Sequence, residues 1–522
     1  MASKLYLGFL WVITLFRGPQ ASKICDLVDT AIPDRISYPA SASYVTAQSS
    51  YYSAHESEIR PACILTPESP KEVSRFVELV TRQAANSPRS HPVAKFAIRG
   101  GGHAVFAGAA NIESGITVDM RALSSVSLSD DRKTATIGAG AIWSEIYPQL
   151  VPYNVTVMGG RVAGVGVGGV PYWRGWADED EGGISHLSRR YGWACDNVLG
   201  YEVVLASGEI VYATASSHPD LWIALKGGSI NFGIVARVDV VTRPLGAMWG
   251  GTLIFEYSPI LLDTQAKAFS EFMSPENFDD AADMFVALFF INPGGIYAAG
   301  NVLYYGEPIA NPPVYQPFSS IPSPLVNTLR TTNVSDLSTE QASRLPVGSD
   351  RAINMVYSFK NAAASVYSEI FETWESATRD LAHIEGLQFV LLLQPHPVSD
   401  GRNSLGLPPG GEDIVMSVII VSYSNTADDK IVRKRLKEVF NQHEDILRRG
   451  GYFIPWKYLN YADKLQDPIG SYGHDIKCRL QGVSKKYDPN GLFQTIVPGG
   501  FKLFQEEMEV IEINERDHHS EL

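Results

Sequence analysis

Apolar residues in this chain first follow a helical period, then a strand period, and later alternate between the two. Val73, Val77, Val80 and Ala84 recur at helical spacing. Ser69 stands as N-cap, Pro70 as first helical residue and Glu72 as capping-box partner. The apolar run AKFAIRG (94–100) then predicts a strand, so a β-α-β unit delivers the chain into a glycine turn. GITVDM (115–120) and KTATIGAG (133–140) alternate as strands, and a helix is expected from Ile142 to Leu150. Beyond residue 246 the runs GGTLIFEY, ADMFVALFF, FVLLLQP and DIVMSVIIVSY interleave with helical stretches at 362–383 and 428–448, the pattern of an α+β unit. PIANPPVYQPFSSIPSP (308–324) predicts a surface loop. A last helix carries Ile476, Leu480, Val483 and Tyr487 on one face and stops at Asp488-Pro-Asn-Gly491.

At 522 residues the chain exceeds one compact core, so two domains are expected. A net charge of −14 argues against nucleic acid or an anionic membrane surface as partner. After the N-terminus no apolar run is long enough to span a membrane. The first residues differ: Lys4, the apolar stretch 5–16 and Arg17 predict a secretory signal over residues 1–21 and a secreted mature chain. Pro19 is a poor residue near its cleavage point, and an uncleaved anchor is the alternative. Cys25 and Cys63 flank a loosely patterned arm that a bridge would tie down, whereas Cys195 and Cys478 are expected buried and reduced. Asn154 and Asn333 open glycosylation sequons that matter only in a secreted chain. The terminal HSEL falls short of a retention signal.

The candidate chemistry starts at FAIRGGGHAVF (96–106). Glycines there let backbone lie against a flat or charged ligand, with His103 projecting beside it. Taken alone, this is an ordinary turn with a structural histidine. It gains weight from GVGVGG (164–169), GGISHLSRRYGWACDNVLGYEVVLASGEIV (182–211), LWIALKGGSINFGIVARVDVV (221–241), YLNYAD (458–463) and YGHDIKCRLQGVSKKYDPNGLF (472–493). In order and spacing these segments resemble the FAD-linked oxidoreductases of the vanillyl-alcohol oxidase / p-cresol methylhydroxylase superfamily, berberine-bridge-enzyme-like branch. No G-x-G-x-x-G opens a helix after the first strand, so a Rossmann site is not indicated.

The resemblance implies a two-domain α+β flavoprotein. A discontinuous FAD-binding domain would occupy 58–245, a substrate domain 246–455, and a segment at 456–505 would return to the flavin domain. Cofactor contacts are implied for Arg99, Gly100, Gly101, Gly102, His103 and Asn460, and for Gly168, Gly169, Gly183, Ser188, Gly192 and Val235. His103 matches the histidine bonded to the flavin 8α-methyl. Val162 stands where many members carry a second linking cysteine, so FAD is expected covalent through His103 only. Val165 favours O2 as electron acceptor. Tyr461 matches the usual base, and Tyr458 should line the pocket. No metal is implied. A second base on a substrate-domain strand looks absent, because the stretch 414–423 offers only Ser417 and Ser422.

One departure stands out. VPYWRGWADEDE (170–181) separates the glycine runs where the family passes directly between them. Its four consecutive acids would repel a pyrophosphate, which favours a translated intron over a true insertion. The reading is an oxidase that transfers hydride from an alcohol, carbohydrate or secondary metabolite to flavin, with H2O2 as by-product. The alternative is a flavin-fold protein without redox turnover, a non-redox cyclase or a binding protein.

Overall fold

The structure is a computed structural model that describes residues 19–86, 95–167, 183–344 and 350–504. Outside these lie residues 1–18 of the expected signal, Gly168 and Gly169, the 170–181 segment and the terminal HSEL. Among the described residues, helices combine with three sheets in an α+β architecture.

The first sheet runs Ile36–Ser37, Cys63–Leu65, Ile116–Asp119, Phe96–Arg99. Its last three strands are parallel, and the helix Pro70–Asn86 makes the crossover. That helix starts as expected, with Glu72 N donating to Ser69 Oγ at 3.3 Å. Its carboxylate, however, accepts from Glu68 N and from Arg35 instead of closing the box on Ser69. Val73, Phe76, Val77 and Val80 form its buried face, each stabilising by roughly 1.5–3 kcal/mol. Phe76, not Ala84, completes the stripe, because its ring meets Phe96 edge-on at 5.1 Å.

The second sheet has six strands, centred on Ile234–Pro244, which pairs antiparallel with Thr134–Gly138, Val198–Val204 and Val155–Val157. The expected helix before Val155 spans Trp143–Leu150, with Ile142 as N-cap. The chain then enters a nine-stranded sheet at Met248–Glu256, whose pairs are all antiparallel. Helices Pro259–Phe272, Ala364–Leu381 and Asp429–Gly450 bury their apolar stripes in one core with one face of it. Strand period 2 sends Leu391 and Leu393 to that face, and Val390, Leu392 and Gln394 to the other. The second face shares its core with the first two sheets. The 308–324 stretch is more than a surface loop: Tyr315 and Phe318 are fully buried, and Tyr315 Oη donates to the carbonyls of Asp283 and Tyr304.

The helix His474–Tyr487 folds back onto Pro219–Leu225, where Tyr487 Oη and Lys486 Nζ both donate to Asp220. Farther on, Ile496 accepts a hydrogen bond from Phe96 N at 3.0 Å. Cys478 lies on the exposed side of this helix, contrary to expectation, while Cys195 is buried. Cys25 and Cys63 form the expected disulfide. It ties the helix Pro19–Ala31 to the first sheet and stabilises by about 4 kcal/mol for a loop of this length. Among the described residues no helix is long and apolar enough to cross a membrane.

Glu56, fully buried on the short helix Ala54–Ser57, accepts from Ala109 N and Ala110 N at 2.7 and 3.0 Å. Burial outweighs those bonds and pushes its carboxyl up to about 8. A folded-state value above the unfolded 4.5 means the folded chain holds the proton more tightly. The resulting stability is complete below about 4.5 and is lost as pH rises through about 8. Melts of wild type and Glu56→Gln should therefore show the variant gaining relative stability from pH 5 to pH 9. A pH-independent difference would show that this carboxyl does not titrate so.

Candidate active site

Two glycine segments meet backbone to backbone at the end of the Phe96–Arg99 strand. A Cβ on Gly101 would lie 2.6 Å from Gly166 N, and one on Gly166 would lie 2.6 Å from Gly101 N. Real side chains do not tolerate such distances, so both positions require glycine. Gly102 adopts φ +83°, and a Cβ there would strike the Arg99 guanidinium at 2.6 Å. The 161–167 segment is fastened by main-chain bonds: Trp143 N to Val165 O, Ser144 N to Ala163 O, and Val167 N to Ala141 O.

Arg99, expected to touch the cofactor, is fully buried and turned inward. Nη1 donates to Ala47 O at 2.6 Å, and Nη2 to the Ser50 carbonyl and hydroxyl at 3.0 and 2.8 Å. Its charge faces Asp119 at 3.8 Å and the Tyr51 ring. Arg99 thus braces the glycine turn from behind.

His103 stacks on Tyr52, with ring centroids 5.0 Å apart. Burial, helped by the Arg99 charge, lowers its pKa to about 4, so the imidazole is neutral at physiological pH. Nε2 lies on the Gly164 side, and Nδ1 is the buried nitrogen that lacks a partner among the described residues. With its proton on Nε2, the neutral ring would present a lone pair on Nδ1. Val162 and Val165 are buried beside this segment, and position 162 carries no sulfur.

Tyr461 and Tyr458 come together on the turn Leu459–Tyr461, their rings edge to face at 5.0 Å. Both are fully buried. Asn460 Nδ2 donates to Tyr458 Oη at 2.9 Å, and its Oδ1 lacks a partner among the described residues. Trp193 and Trp456 pack against Tyr458. Gln394 Nε2 donates to Tyr461 Oη at 3.3 Å, and Arg161 Nη2 donates to Gln394 Oε1. The expected absence of a second polar group on a substrate-domain strand is thereby corrected. The residue is on Gln388–Pro395, not on Ile414–Tyr423. Ser417 pairs with Tyr357 and faces the helices, whereas Ser422 shares the site face with Ala352. A lone polar residue ending the apolar run FVLLLQP was the available signal.

The remaining expected residues shape the chain. Ser188 Oγ accepts from Ser185 N at 2.7 Å. Gly192 caps the helix Ser188–Tyr191 at φ +77°, Gly183 takes φ +44°, and Val235 is buried opposite Val203. His186 was not anticipated. Burial and the Arg161 charge push it down to about 3, and it meets Tyr304 edge-on at 4.5 Å. Among the described residues no cluster could hold a metal.

This arrangement can hold a flat cofactor against backbone, offer it a neutral imidazole nitrogen, and face it with a buried phenol. A family model described as an FAD binding domain matches residues 61–214. The chain is 34% identical to an FAD-dependent monooxygenase of Cochliobolus heterostrophus over 92% of both chains. It is 30% identical to the bifunctional solanapyrone synthase of Alternaria solani, over 92% of this chain and 88% of that one. Among solved structures, 6-hydroxy-D-nicotine oxidase of Arthrobacter nicotinovorans superposes with TM-score 0.71 at 18% identity, covering 90% of this chain and 98% of the other. Glucooligosaccharide oxidase of Acremonium strictum, described with a 6-S-cysteinyl, 8α-N1-histidyl FAD, superposes with TM-score 0.70 at 16% identity, covering 93% and 99%. These structural likenesses establish the fold.

Gly101→Ala should lower both the melting temperature and the flavin absorbance of the purified protein, since its Cβ would meet backbone. Gly164→Ala should leave both near wild type, because its Cβ would meet only His103 Nε2, at 3.7 Å. Equal behaviour of the two variants would contradict the close-approach argument.

Proposed function

The chain belongs to the FAD-linked oxidoreductases of the vanillyl-alcohol oxidase / p-cresol methylhydroxylase superfamily, and we propose that it oxidises an apolar, ring-bearing alcohol by hydride transfer, with O2 as final acceptor. The observation that carries this reading is Tyr461, a fully buried phenol whose oxygen accepts from Gln394. FAD, when bound, supplies the hydride acceptor and returns the electrons to O2 as H2O2.

The chain's residues supply the rest. His103 Nδ1, with its free lone pair, is the atom suited to a covalent bond with the flavin 8α-carbon, and Val162 leaves that link single. Asn460 Oδ1, buried and unpartnered, is suited to accept a flavin N–H. Tyr461, as its phenolate, takes the substrate hydroxyl proton and becomes the phenol as hydride leaves the carbon bearing that hydroxyl, so substrate gives up one proton and one hydride. Tyr458, fixed by Asn460 and two tryptophans, walls the pocket and excludes water.

The large sheet bears on the chemistry of the substrate. Phe285, Val356, Leu392, Met416, Val418 and Ile420 share one core with Tyr458 and Tyr461. Among them stand the amides of Gln394 and Asn354, the latter fully buried with neither amide atom partnered among the described residues. An oligosaccharide carries many hydroxyls, and each left unbonded costs free energy. A rigid apolar ring system with one donor–acceptor edge suits this lining better. The expected export of the chain is supported by the Cys25–Cys63 bridge, since such bonds persist outside reducing compartments.

Wild-type protein should stay yellow after acid denaturation, whereas His103→Ala should release its flavin. Release from wild type would end the covalent reading. Tyr461→Phe should slow anaerobic flavin reduction by benzylic alcohols by about 10²–10⁴ with flavin content unchanged. Unaltered kinetics would remove Tyr461 from the role of base. Reduction by oligosaccharides but not by benzylic alcohols would reverse the substrate assignment. The monooxygenase names of the relatives set a further outcome, in which oxygen enters the product and no H2O2 accumulates.

A further inference from the structure

Arg161 has no place in the chemistry above, yet it is a cation with 1% of its surface exposed. It lies in the glycine segment one residue before Val162, and its guanidinium lies over Phe285, 5.3 Å from the ring centre. Nη2 donates to Gln394 Oε1, and Nη1 stands 3.7 Å from Asp283 Oδ1. Burying such a charge costs several kcal/mol unless it is well paired.

The contact with Gln394 has a chemical consequence. Arginine has five N–H donors and no acceptor. Whatever side of the Gln394 amide faces Arg161 must therefore be its oxygen, which obliges the NH2 to face Tyr461. The phenol oxygen then receives a hydrogen bond it cannot reverse. A donor aimed at an ionisable oxygen favours the charged form, and a cation behind that donor polarises the amide and strengthens the effect.

We propose that Arg161 is a positioning residue that acts on Tyr461 through Gln394, fixing the amide's orientation and stabilising the phenolate that proton abstraction requires. This relay rests on the reading of Tyr461 as the base. Among the described residues, three other charged or titratable groups bear on the guanidinium or its partner. Asp283, on the Ala282–Ile291 strand, partly offsets its charge; Arg189, on the Ser188–Tyr191 helix, offsets Asp283 in turn; His186 stays neutral beside it. The Asp283 carboxyl is itself pushed up to about 6 by burial, against the pull of the two arginines. Neutralising it leaves the Arg161 charge less compensated, in the direction that favours the phenolate.

The test needs no substrate. Flavin-loaded protein carrying 3-fluorotyrosine throughout would be titrated by fluorine NMR, with the Tyr461 signal assigned as the one missing from Tyr461→Phe. Arg161→Gln should raise the Tyr461 titration midpoint by about one pH unit or more, a roughly tenfold loss of phenolate at fixed pH. Gln394→Leu should raise it similarly, and the double variant no further, because both substitutions cut one path. Arg161→Lys, which keeps cation and donor, should restore part of the shift. An unmoved midpoint in Arg161→Gln, or additive shifts in the double variant, would overturn the proposal. Should Arg161→Gln not fold, Gln394→Leu and Arg161→Lys decide, and an unmoved midpoint in Gln394→Leu is equally fatal. Full activity of Tyr461→Phe would end the base reading alone, while the NMR midpoints judge the relay separately.

Discussion

The site depends on a contact that contains no side chain. Gly101 and Gly166 pass with their backbones closer than any Cβ would permit. His103 lies two residues beyond the first and Arg161 five residues before the second. A single steric condition therefore sets the imidazole that meets the cofactor and the guanidinium that reaches Gln394. Arg99 makes the condition hold. Its two terminal nitrogens donate to Ala47 and Ser50, and its head fills the space under Gly102. The arginine that the resemblance assigns to the cofactor also braces the turn that approaches it.

From the other side the site is closed by the pleat of a large antiparallel sheet. Alternation along Gln388–Pro395 sends Leu391 and Leu393 to the helices, and Leu392 and Gln394 to the site. A one-residue slip would exchange them and replace the amide facing Tyr461 with an aliphatic chain. Register is secured on both flanks, where Gln394 stands opposite Met416 and Val286 opposite Leu393. Polar function is thus placed by the same hydrophobic pairing that stabilises the sheet.

Part of this was legible from local pattern. The helix Pro70–Asn86 declares itself within a short window, whereas the glycine turn with His103 and the paired tyrosines take their meaning from the resemblance that several ordered segments carry, and Cys25 and Cys63 stand 38 residues apart. What stayed hidden depends on partners far along the chain. Gln394 was missed because its value comes from Tyr461 and Arg161, which lie 67 and 233 residues away. Phe76 displaced Ala84 from the buried stripe because Phe96 is there to meet it. Tyr315 and Phe318 are buried in a segment rich in proline and serine because two strand carbonyls await the tyrosine hydroxyl. Cys478 shows the converse, since helical spacing alone did not reveal which side the protein covers.

The bond from Phe96 N to Ile496 O joins the strand that carries the glycine turn to a residue 400 positions later. Nearby, Asn231 donates to Phe501 O, and Gln494 donates to Asn231. The surroundings of His103 are therefore complete only once residues 494–501 have docked. Chains cut short of residue 496 lack the partner of the strand that carries the glycine turn. Retention of the flavin thus reports that this strand and its distant partner have come together.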